Sequence, residues 1–210
     1  MNVLDRKAHW EKAWSSGPAQ KASWYQEVPR TSLSMINHAQ MNREQPLIDV
    51  GGGASVLVDH LLDARYRDIT VLDISSTALK QARHRLGGKA DRVDWIEADI
   101  THYTANRQFF LWHDRAAFHF LVDADDRRRY VRALNRGLQP GGQAIMACFA
   151  PDGPKKCSGL DIVQYDAEGL QSELGDGMRL LEQQVERHLT PGGREQKFGF
   201  YRFERRQVKV

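Results

Sequence analysis

Short, unbroken hydrophobic runs alternate along this chain with longer segments in which apolar residues recur every three or four positions. Runs of the first kind are typical of strands buried on both faces of a parallel sheet, and segments of the second kind are typical of amphipathic helices. We predict strands over five runs: Leu47–Val50, Ile69–Asp73, Val93–Glu97, Phe109–Trp112 and Gln143–Phe149. We predict helices between them: Ala54–Ala64, Ser75–Leu86 and Asp123–Leu138. This order indicates a doubly wound α/β fold on a parallel sheet.

The pattern changes in the last third of the chain. A short helix is predicted over Ala167–Leu174, and two long strand-like runs follow it, Met178–Leu189 and Lys197–Gln207. The stretch "TPGGREQ" between these runs favours a reversal of the chain. We therefore expect an antiparallel hairpin at one edge of the sheet.

An aromatic arm precedes the first strand. It contains a Gly-Pro break and a helix that starts near Ser32. Three of the five tryptophans lie in it: Trp10, Trp14 and Trp24. Tryptophan has a large apolar area, so we expect Trp10 to fasten the arm to the sheet. For Tyr25 we expect a place in a lid that closes over a bound ligand.

The composition fits one domain with three parts. A length of 210 residues, of which 41% are hydrophobic and 27% charged, is typical of a single soluble globular domain. We assign residues 1–40 to the arm, residues 46–150 to a cofactor-binding core, and residues 151–210 to a substrate loop followed by the hairpin.

Charge, cysteine content and hydropathy narrow the class of protein. The net charge is +3 and the basic residues are scattered, so we expect no nucleic-acid partner. The chain begins without an apolar leader and contains no run long enough to span a membrane. Cys148 and Cys157 are therefore expected to be free thiols in the cytoplasm, and no metal site is expected.

The stretch "LIDVGGGAS" joins the first predicted strand to the first helix. Gly51, Gly52 and Gly53 lack a Cβ atom, so the backbone there can approach a ligand closely. The dinucleotide fingerprint that begins at Gly51 requires a small residue where Val56 stands. No Gly-Lys-Ser/Thr follows either. The turn therefore favours an adenosyl ligand without a pyrophosphate over NAD or ATP.

Two acidic residues follow the next two strands. Asp73 ends the second strand, where a carboxylate can accept hydrogen bonds from both ribose hydroxyls. Asp99 follows the third strand, where its carboxylate can accept from an exocyclic adenine amine while the Ile100 amide donates to the ring. Three successive strand ends thus point to one adenosyl compound.

These motifs resemble those of class I S-adenosylmethionine-dependent methyltransferases. "LIDVGGGAS", "VLDIS", "EADI" and "LQPGGQAIM" occur in the family's order across residues 46–150. The resemblance implies a seven-stranded Rossmann-like sheet with an antiparallel C-terminal hairpin, and S-adenosylmethionine as the cofactor, with S-adenosylhomocysteine as product. It places the methionine part near the glycine turn. The cofactor-binding residues are then expected to be Asp49, Gly51, Gly53, Asp73, Ile74, Asp99, Ile100 and Tyr25.

The family often carries another residue where this chain has Gly52, and we expect that departure to be harmless. "HWEKAW" and "FLWHDRAAFHFL" also look like a bacterial subgroup of small, stand-alone members. An Asp/Asn-Pro-Pro-Tyr/Phe motif, which amine- and amide-methylating members show after the fourth strand, is replaced here by "WHDRAAFHF". Methylation of exocyclic base amines or glutamine amides is therefore not expected.

The catalytic candidates fall at and just past the end of the fourth predicted strand, next to the expected methyl group. His113, Asp114 and His119 are candidates for a general base or an orienting group. Arg115 is expected to hold Asp114 or an anionic acceptor. In the alternative interpretation Asp114 and Arg115 form an internal pair, and His119 packs at the entry of the following helix.

The loop "FAPDGPKKCSGLDIVQY" is rich in glycine and proline and is expected to face the substrate. Lysines 155 and 156 would lower the pKa of the Cys157 thiol. Together with residues of the arm and the fourth strand, this loop supplies the predicted substrate-binding set: Trp24, Arg115, Cys157 and Tyr165.

Three functions remain open at this point. The first is methyl transfer by in-line displacement to a small-molecule acceptor of thiol, chalcogen or amine type, which predicts a closed pocket lined by Trp24, Tyr25, His119 and Phe149. The second is methylation of protein lysine, which predicts an open groove. The third is a catalytically silent cofactor-binding module that regulates a partner. The sequence leaves the choice between monomer and homodimer open.

Overall fold

A computed structural model describes residues 3–207. Its main sheet contains seven strands in the order β3-β2-β1-β4-β5-β9-β8. A separate two-stranded sheet is formed by β6 and β7. The strands are β1 (Leu47–Val50), β2 (Ile69–Asp73), β3 (Val93–Glu97), β4 (Phe109–Arg115), β5 (Leu138–Phe149), β6 (Lys156–Cys157), β7 (Leu160–Asp161), β8 (Met178–Leu189) and β9 (Glu195–Arg205).

The sheet confirms the predicted fold class. Strands β1 to β5 pair in parallel, β9 pairs antiparallel with β5, and β8 pairs antiparallel with β9 at the edge. The Rossmann-like sheet with an antiparallel C-terminal hairpin is therefore present. Three strands have boundaries that differ from the predictions: β5 begins at Leu138 instead of Gln143, β9 spans Glu195–Arg205 instead of Lys197–Gln207, and β4 continues to Arg115 instead of ending at Trp112. The difference in β4 decides which side chains reach the site.

Six α-helices accompany the strands. They are α1 (Val3–Ser15), α2 (Arg30–His38), α3 (Leu57–Asp63), α4 (Ser76–Leu86), α5 (Ala124–Gly137) and α6 (Ala167–Leu174). Ser75 caps α4, as its Ser-Ser-Thr run predicts, by accepting a hydrogen bond from the Ala78 amide (3.2 Å). Helix α3 begins later than predicted because the residues before it form a turn, closed by the Ser55 amide on the Gly52 carbonyl (2.7 Å).

Apolar side chains cover both faces of the sheet. Successive residues of a strand point to opposite faces, so neighbouring positions of β1 divide between two cores. Leu47 belongs to the core formed with α2, α3 and α4. Ile48 belongs to the core formed with α5 and α6. Among the described residues no helix is long and apolar enough to cross a membrane, and both cysteines are free and buried.

Candidate active site

A cavity opens at the carboxyl ends of β1, β2 and β4, beneath the N-terminal arm. The empty space in it, open mouth included, is about 1320 Å³. Most of the predicted site residues lie in its wall: Trp24, Tyr25, Asp49, Gly51, Asp73, Ile74, Asp99, Ile100, His113, Arg115 and Cys157. Four predicted residues lie outside that lining: Gly53, Asp114, His119 and Tyr165.

The glycine turn is tightly enclosed. Gly51 has φ +69°, and a Cβ atom on it would lie 2.8 Å from the Cβ atom of Ala117. Gly53 has φ +41°, and its Cβ atom would lie 2.7 Å from Asp73 Oδ2. Side chains other than glycine rarely adopt such φ values. Both positions therefore require glycine, and Gly53 shapes the site from behind its wall.

Gly52 is also required, for a reason that the sequence did not indicate. A Cβ atom at this position would lie 2.5 Å from Asp49 Oδ2 and 2.9 Å from Val71 Cγ1. These distances are too short for any real Cβ contact, so another residue at position 52 would displace the Asp49 carboxylate or the Val71 side chain. Glycine at this position, where the family often carries another residue, therefore fits the packing of this chain.

Asp73 lies at the end of β2 with only 7% of its surface exposed. Its Oδ1 atom accepts a hydrogen bond from the Ser75 amide (2.8 Å). Burial raises the pKa of Asp73 to about 7, because the charged carboxylate loses its hydration. A buried carboxylate of this kind fits a ligand that donates two hydroxyl hydrogens.

Asp99 has one engaged oxygen and one open oxygen. Oδ1 accepts hydrogen bonds from the Thr101 amide (2.8 Å) and hydroxyl (2.7 Å). Oδ2 is buried and lies 3.0 Å from Arg6 Nη2 in an ion pair, but it accepts no hydrogen bond from the described residues. An amine donor would satisfy that oxygen. The Asp73 and Asp99 carboxylates and the glycine turn thus fit the adenosyl group that the motifs predict.

Helix α1 covers this adenosyl end of the cavity. Glu11 accepts hydrogen bonds from the Ser76 amide (2.7 Å), the Thr77 amide (3.2 Å) and the Ser75 hydroxyl (3.1 Å). Burial opposes ionisation of Glu11, but the hydrogen bonds from Thr77 and Ser76 prevail and lower its pKa to about 2. Arg6 and Glu11 were missed at the sequence level because α1 carries no motif that marks them.

Three tryptophans link the arm to the cavity. The Trp24 ring lies edge-on to Trp10 and Trp14, with centroids 5.9 and 5.7 Å apart. Trp10 also contacts Phe120 edge-on, with centroids 4.9 Å apart. Trp10 therefore has the fastening role expected of it, and it lines the cavity as well. Tyr25 lies in the same wall.

A hydrogen-bonded chain of three buried residues lies at the other end of the cavity. His113 Nδ1 is 2.7 Å from Asp49 Oδ1, and His113 Nε2 is 2.9 Å from Ser32 Oγ. Asp49 and His113 are partners in the parallel register of β1 and β4, and α2 supplies Ser32. All three line the cavity. Ser32 was not singled out from the sequence, because a lone serine in a helix carries no signal of such a contact.

Asp114 lies on the opposite face of the sheet. It accepts hydrogen bonds from the Ala117 amide (2.8 Å), the Phe118 amide (3.1 Å) and the Tyr130 hydroxyl (2.6 Å). Burial raises the pKa of Asp114 to about 6. Because β4 extends to Arg115, adjacent side chains alternate between faces. The geometry therefore speaks against Asp114 as a base on the acceptor, and against an Asp114–Arg115 pair.

His119 is fully buried behind the cavity wall. The Phe149 amide donates to His119 Nδ1 (3.4 Å), and the two rings are in contact with centroids 4.9 Å apart. Burial and, to a smaller extent, the nearby Arg115 charge lower the pKa of His119 to about 3. This arrangement corresponds to the alternative interpretation, in which His119 packs, and speaks against its expected catalytic role.

Arg115 follows His113 on the cavity face of β4. Its Nη1 atom donates to the Trp24 carbonyl (2.9 Å), and its guanidinium carbon lies 5.0 Å from the Phe198 ring centroid. The neighbouring arm residues are also tied to β8, by His188 Nε2 donating to the Ser23 carbonyl (2.8 Å). Arg115 therefore has the cavity position expected of a substrate-binding residue.

The loop residues divide between the two faces. Cys157 is buried in the cavity wall, and burial raises the pKa of its thiol to about 11. The expected lowering by lysine is wrong, because Lys156 instead pairs with Asp161 (3.0 Å) on the surface. Tyr165 belongs to the core with α5 and α6, where its ring lies 5.5 Å from that of Phe118. Tyr165 was predicted to bind substrate, but it lies in this core and does not line the cavity.

The known proteins to which this chain is similar are methyltransferases. The family model described as "Methyltransferase domain" matches residues 47–142. A solved S-adenosylmethionine-dependent methyltransferase from Anabaena variabilis has TM-score 0.74 at 17% identity, covering 98% of this chain and 96% of that one. The 1,6-didemethyltoxoflavin-N1-methyltransferase of Burkholderia thailandensis, solved with S-adenosylhomocysteine, has TM-score 0.73 at 17% identity, covering 99% and 92%.

Curated proteins are similar at lower coverage. The eEF1A lysine and N-terminal methyltransferase of Mus musculus is 27% identical over 164 residues, which is 71% of this chain and 23% of that protein. The chain thus spans about a quarter of the length of the curated relatives it matches. Residues 47–142 thus match a methyltransferase domain, and the chain has the fold of solved S-adenosylmethionine-dependent methyltransferases.

Proposed function

We propose that this chain is a class I S-adenosylmethionine-dependent methyltransferase that acts on a small-molecule acceptor of thiol, chalcogen or amine type. The observation that carries the proposal is the roofed cavity, which continues past the adenosyl end to His113 and Arg115 under the aromatic arm. Trp24 and Tyr25 lie in its wall, as expected for a closed pocket, whereas His119 and Phe149 lie outside its lining. The Burkholderia thailandensis enzyme, which was solved with bound 1,6-didemethyltoxoflavin, supports the same class of acceptor.

The residues of this chain would contribute position and proton transfer. When bound, the cofactor supplies an electrophilic methyl group on a sulfonium. Holding an acceptor in line with that methyl group can supply roughly 7–11 kcal/mol of the barrier. Asp49 fixes the His113 ring, so that Nδ1–H points to the carboxylate and Nε2 is the proton-accepting atom. The Ser32 hydroxyl, hydrogen-bonded to Nε2, lies where an acceptor proton would pass.

A second candidate is methylation of protein lysine, which the similarity to eEF1A lysine and N-terminal methyltransferases favours. That reaction needs a channel for an ammonium group, and the buried Arg115 guanidinium in this cavity would repel one. The covered cavity and its cationic wall therefore support the small-molecule proposal over this one. A catalytically silent module is the third candidate. Turnover of any acceptor would exclude it.

The first experiment is thermal unfolding with S-adenosylmethionine, S-adenosylhomocysteine, NAD or no ligand. At about 100 times its dissociation constant a ligand stabilises the folded chain by roughly 2.7 kcal/mol, which raises the midpoint of a domain of this size by about 5–11 °C. We expect this rise with both adenosyl compounds and none with NAD. A rise with NAD alone would refute the cofactor assignment.

A substitution then tests the base. We expect His113→Asn to keep the cofactor-induced rise and to lower kcat on an identified acceptor by about 10²- to 10⁴-fold, the usual contribution of a general base. His84→Asn, at an exposed position on α4, is the matched control and should keep full activity. Unchanged turnover in His113→Asn would remove His113 from the mechanism.

A further inference from the structure

The acceptor end of the cavity contains a buried cation whose hydrogen bonds are incomplete. The Arg115 side chain is only 13% exposed. Its Nη1 atom is bound to the Trp24 carbonyl (2.9 Å), but Nε and Nη2 are buried without a hydrogen-bond partner among residues 3–207. A buried donor without an acceptor is costly. The two open N–H groups form one edge of the guanidinium, the edge that two oxygens of a carboxylate match.

Glu186 does not fill this role. Its Oε1 atom lies 3.8 Å from Arg115 Nη2, beyond hydrogen-bond distance. The same oxygen already accepts a hydrogen bond from Gln26 Nε2 (2.8 Å). The other guanidinium in the cavity wall, Arg6, is bound to Asp126 (2.6 Å) and Asp99 (3.0 Å) at the adenosyl end. Arg115 is therefore the cation that an anion at the acceptor end would meet.

The surroundings of Arg115 indicate what the anion is attached to. Trp24, Phe120 and Phe198 line the same cavity, and aromatic walls favour a flat apolar body. A single guanidinium matches a carboxylate in charge, whereas a phosphate dianion would call for further cations. His113 and Arg115 are two residues apart on one face of β4, which places them about 7 Å apart along the strand. That separation suits one six-membered ring with its reactive group and its carboxylate at opposite ends.

We propose that the methyl acceptor is a small aromatic carboxylate, bound through its carboxylate to Nε and Nη2 of Arg115 with its nucleophile toward His113. This inference rests on the proposed function and names the substrate class of that site. The methyl–sulfur bond breaks as the bond from methyl to the acceptor nucleophile forms. The proton of the nucleophile passes to the Ser32–His113 pair, and S-adenosylhomocysteine leaves as the neutral thioether.

Matched pairs of compounds test this proposal. The pairs are 4-hydroxybenzoate with 4-hydroxybenzamide, 4-aminobenzoate with 4-aminobenzamide, and 4-mercaptobenzoate with 4-mercaptobenzamide. Calorimetry measures their binding to the full chain saturated with S-adenosylhomocysteine, and mass spectrometry measures methylated product with S-adenosylmethionine. We expect at least one carboxylate to bind at least about tenfold more tightly than its amide, the scale of a hydrogen bond to a charged group.

Three variants assign the preference to Arg115. Arg115→Met should abolish the preference for carboxylate over amide. Glu186→Gln should keep or increase this preference, because it removes an anion that competes for Arg115. Arg179→Met, at an exposed position on β8, is the control and should behave as the unaltered chain. If Arg115→Met fails to fold, Arg115→Lys takes its place, and it should reduce the preference because lysine keeps the charge but lacks the planar fork.

The outcomes separate this proposal from the proposed function. Equal binding of carboxylate and amide, binding of neither in any pair, or a preference that survives in Arg115→Met would overturn the substrate class. In each of these cases a rise in the unfolding midpoint with S-adenosylhomocysteine, measured on the same samples, would still support the cofactor site. Absence of that rise would overturn both.

Discussion

The Asp73 carboxylate is held at a place where its charge is costly until a ligand arrives. One oxygen accepts the Ser75 amide, and the other lies against the glycine turn, 2.7 Å from where a Cβ atom of Gly53 would be. The buried group has its pKa raised to about 7, well above its ordinary value of 3.8. Its folded pKa is raised, so its stabilising contribution is complete below 3.8 and is lost as pH rises through 7.

Replacing this carboxylate should separate stability from ligand binding. At pH 8 and without ligand, we expect Asp73→Asn to be at least as stable as the unaltered chain, because it removes a buried charge. The advantage should disappear by pH 4, where Asp73 is protonated. The rise in midpoint with S-adenosylmethionine should be strongly reduced in the variant at both pH values.

Thermal unfolding at pH 4 and pH 8, with and without S-adenosylmethionine, checks this expectation. Asp68 is replaced by asparagine in parallel as a control, since it lies on the surface and pairs with Arg107. A variant less stable at pH 8 than at pH 4, relative to the unaltered chain, would contradict the argument.

At the scale of elements, α1 is fastened to the amino end of α4. Glu11 reaches the first amides of α4, which lack partners within the helix, and its charge is favourable at the positive end of the helix dipole. Gln81 completes the contact by donating to the Trp14 carbonyl (2.8 Å). The helix that roofs the adenosyl end is thus held by the same turn that follows Asp73.

This attachment should depend on pH in a defined window. The pKa of Glu11 is lowered to about 2 from an ordinary 4.5. A lowered folded pKa means that the contribution of Glu11 is complete above 4.5 and is lost as pH falls toward 2. We expect Glu11→Gln to lower the unfolding midpoint at pH 7, and we expect the difference in stability between the two chains to shrink as pH falls from 4.5 toward 2.

Glu44→Gln is the control for this prediction, because its exposed pair with Arg67 contributes little. Urea unfolding at pH 7 and pH 3, followed by tryptophan fluorescence, measures the difference. A deficit in Glu11→Gln that is equal at both pH values would show that the Glu11 charge is not what holds α1.

Elements whose boundaries are set by the local sequence pattern were predicted well. Elements and contacts that depend on residues far away in the chain were not. Strands β1 and β2 are buried at every position, so their hydrophobic runs located them directly. Strand β4 was ended too early because His113, Asp114 and Arg115 look like the start of a loop. The side chains of His113 and Asp114 have hydrogen-bond partners on other elements, and Arg115 keeps two donors without a partner among residues 3–207. Likewise, the sequence around Ser32 and Glu11 contains no pattern that predicts their contacts with His113 and Ser76, which are 81 and 65 residues away.

At the scale of the whole molecule, the sheet separates the reacting groups from a supporting network. Behind the sheet, Trp112 Nε1 donates to the Tyr130 hydroxyl (2.9 Å), which in turn donates to Asp114 (2.6 Å). His119 is buried near the boundary between these two regions, and its neutral ring contacts Phe149. Acid should therefore act on the global fold through His119, whose imidazole must gain a proton where no water reaches it.

The sign follows from the pKa of His119, which is lowered to about 3 from an ordinary 6.5. The contribution of the neutral ring is complete above 6.5 and is lost as pH falls toward 3. We expect His119→Phe, which keeps an aromatic ring, to lose less stability between pH 6.5 and pH 3 than the unaltered chain. Urea titrations across this range measure the slopes, with exposed His84→Phe as the control. Parallel slopes for His119→Phe and the unaltered chain would contradict this source of acid sensitivity.

The alternation along β4 has a practical consequence for redesign. Positions 113 and 115 line the cavity, and position 114 contacts the supporting network. A library aimed at new acceptors can therefore vary the two odd positions while position 114 stays fixed, since its partners belong to the frame of the molecule. Inserting or deleting one residue in β4 before position 113 would turn every following side chain to the opposite face of the sheet. The Asp114 carboxylate would then point into the cavity, and the Arg115 guanidinium would be buried in the core with α5 and α6.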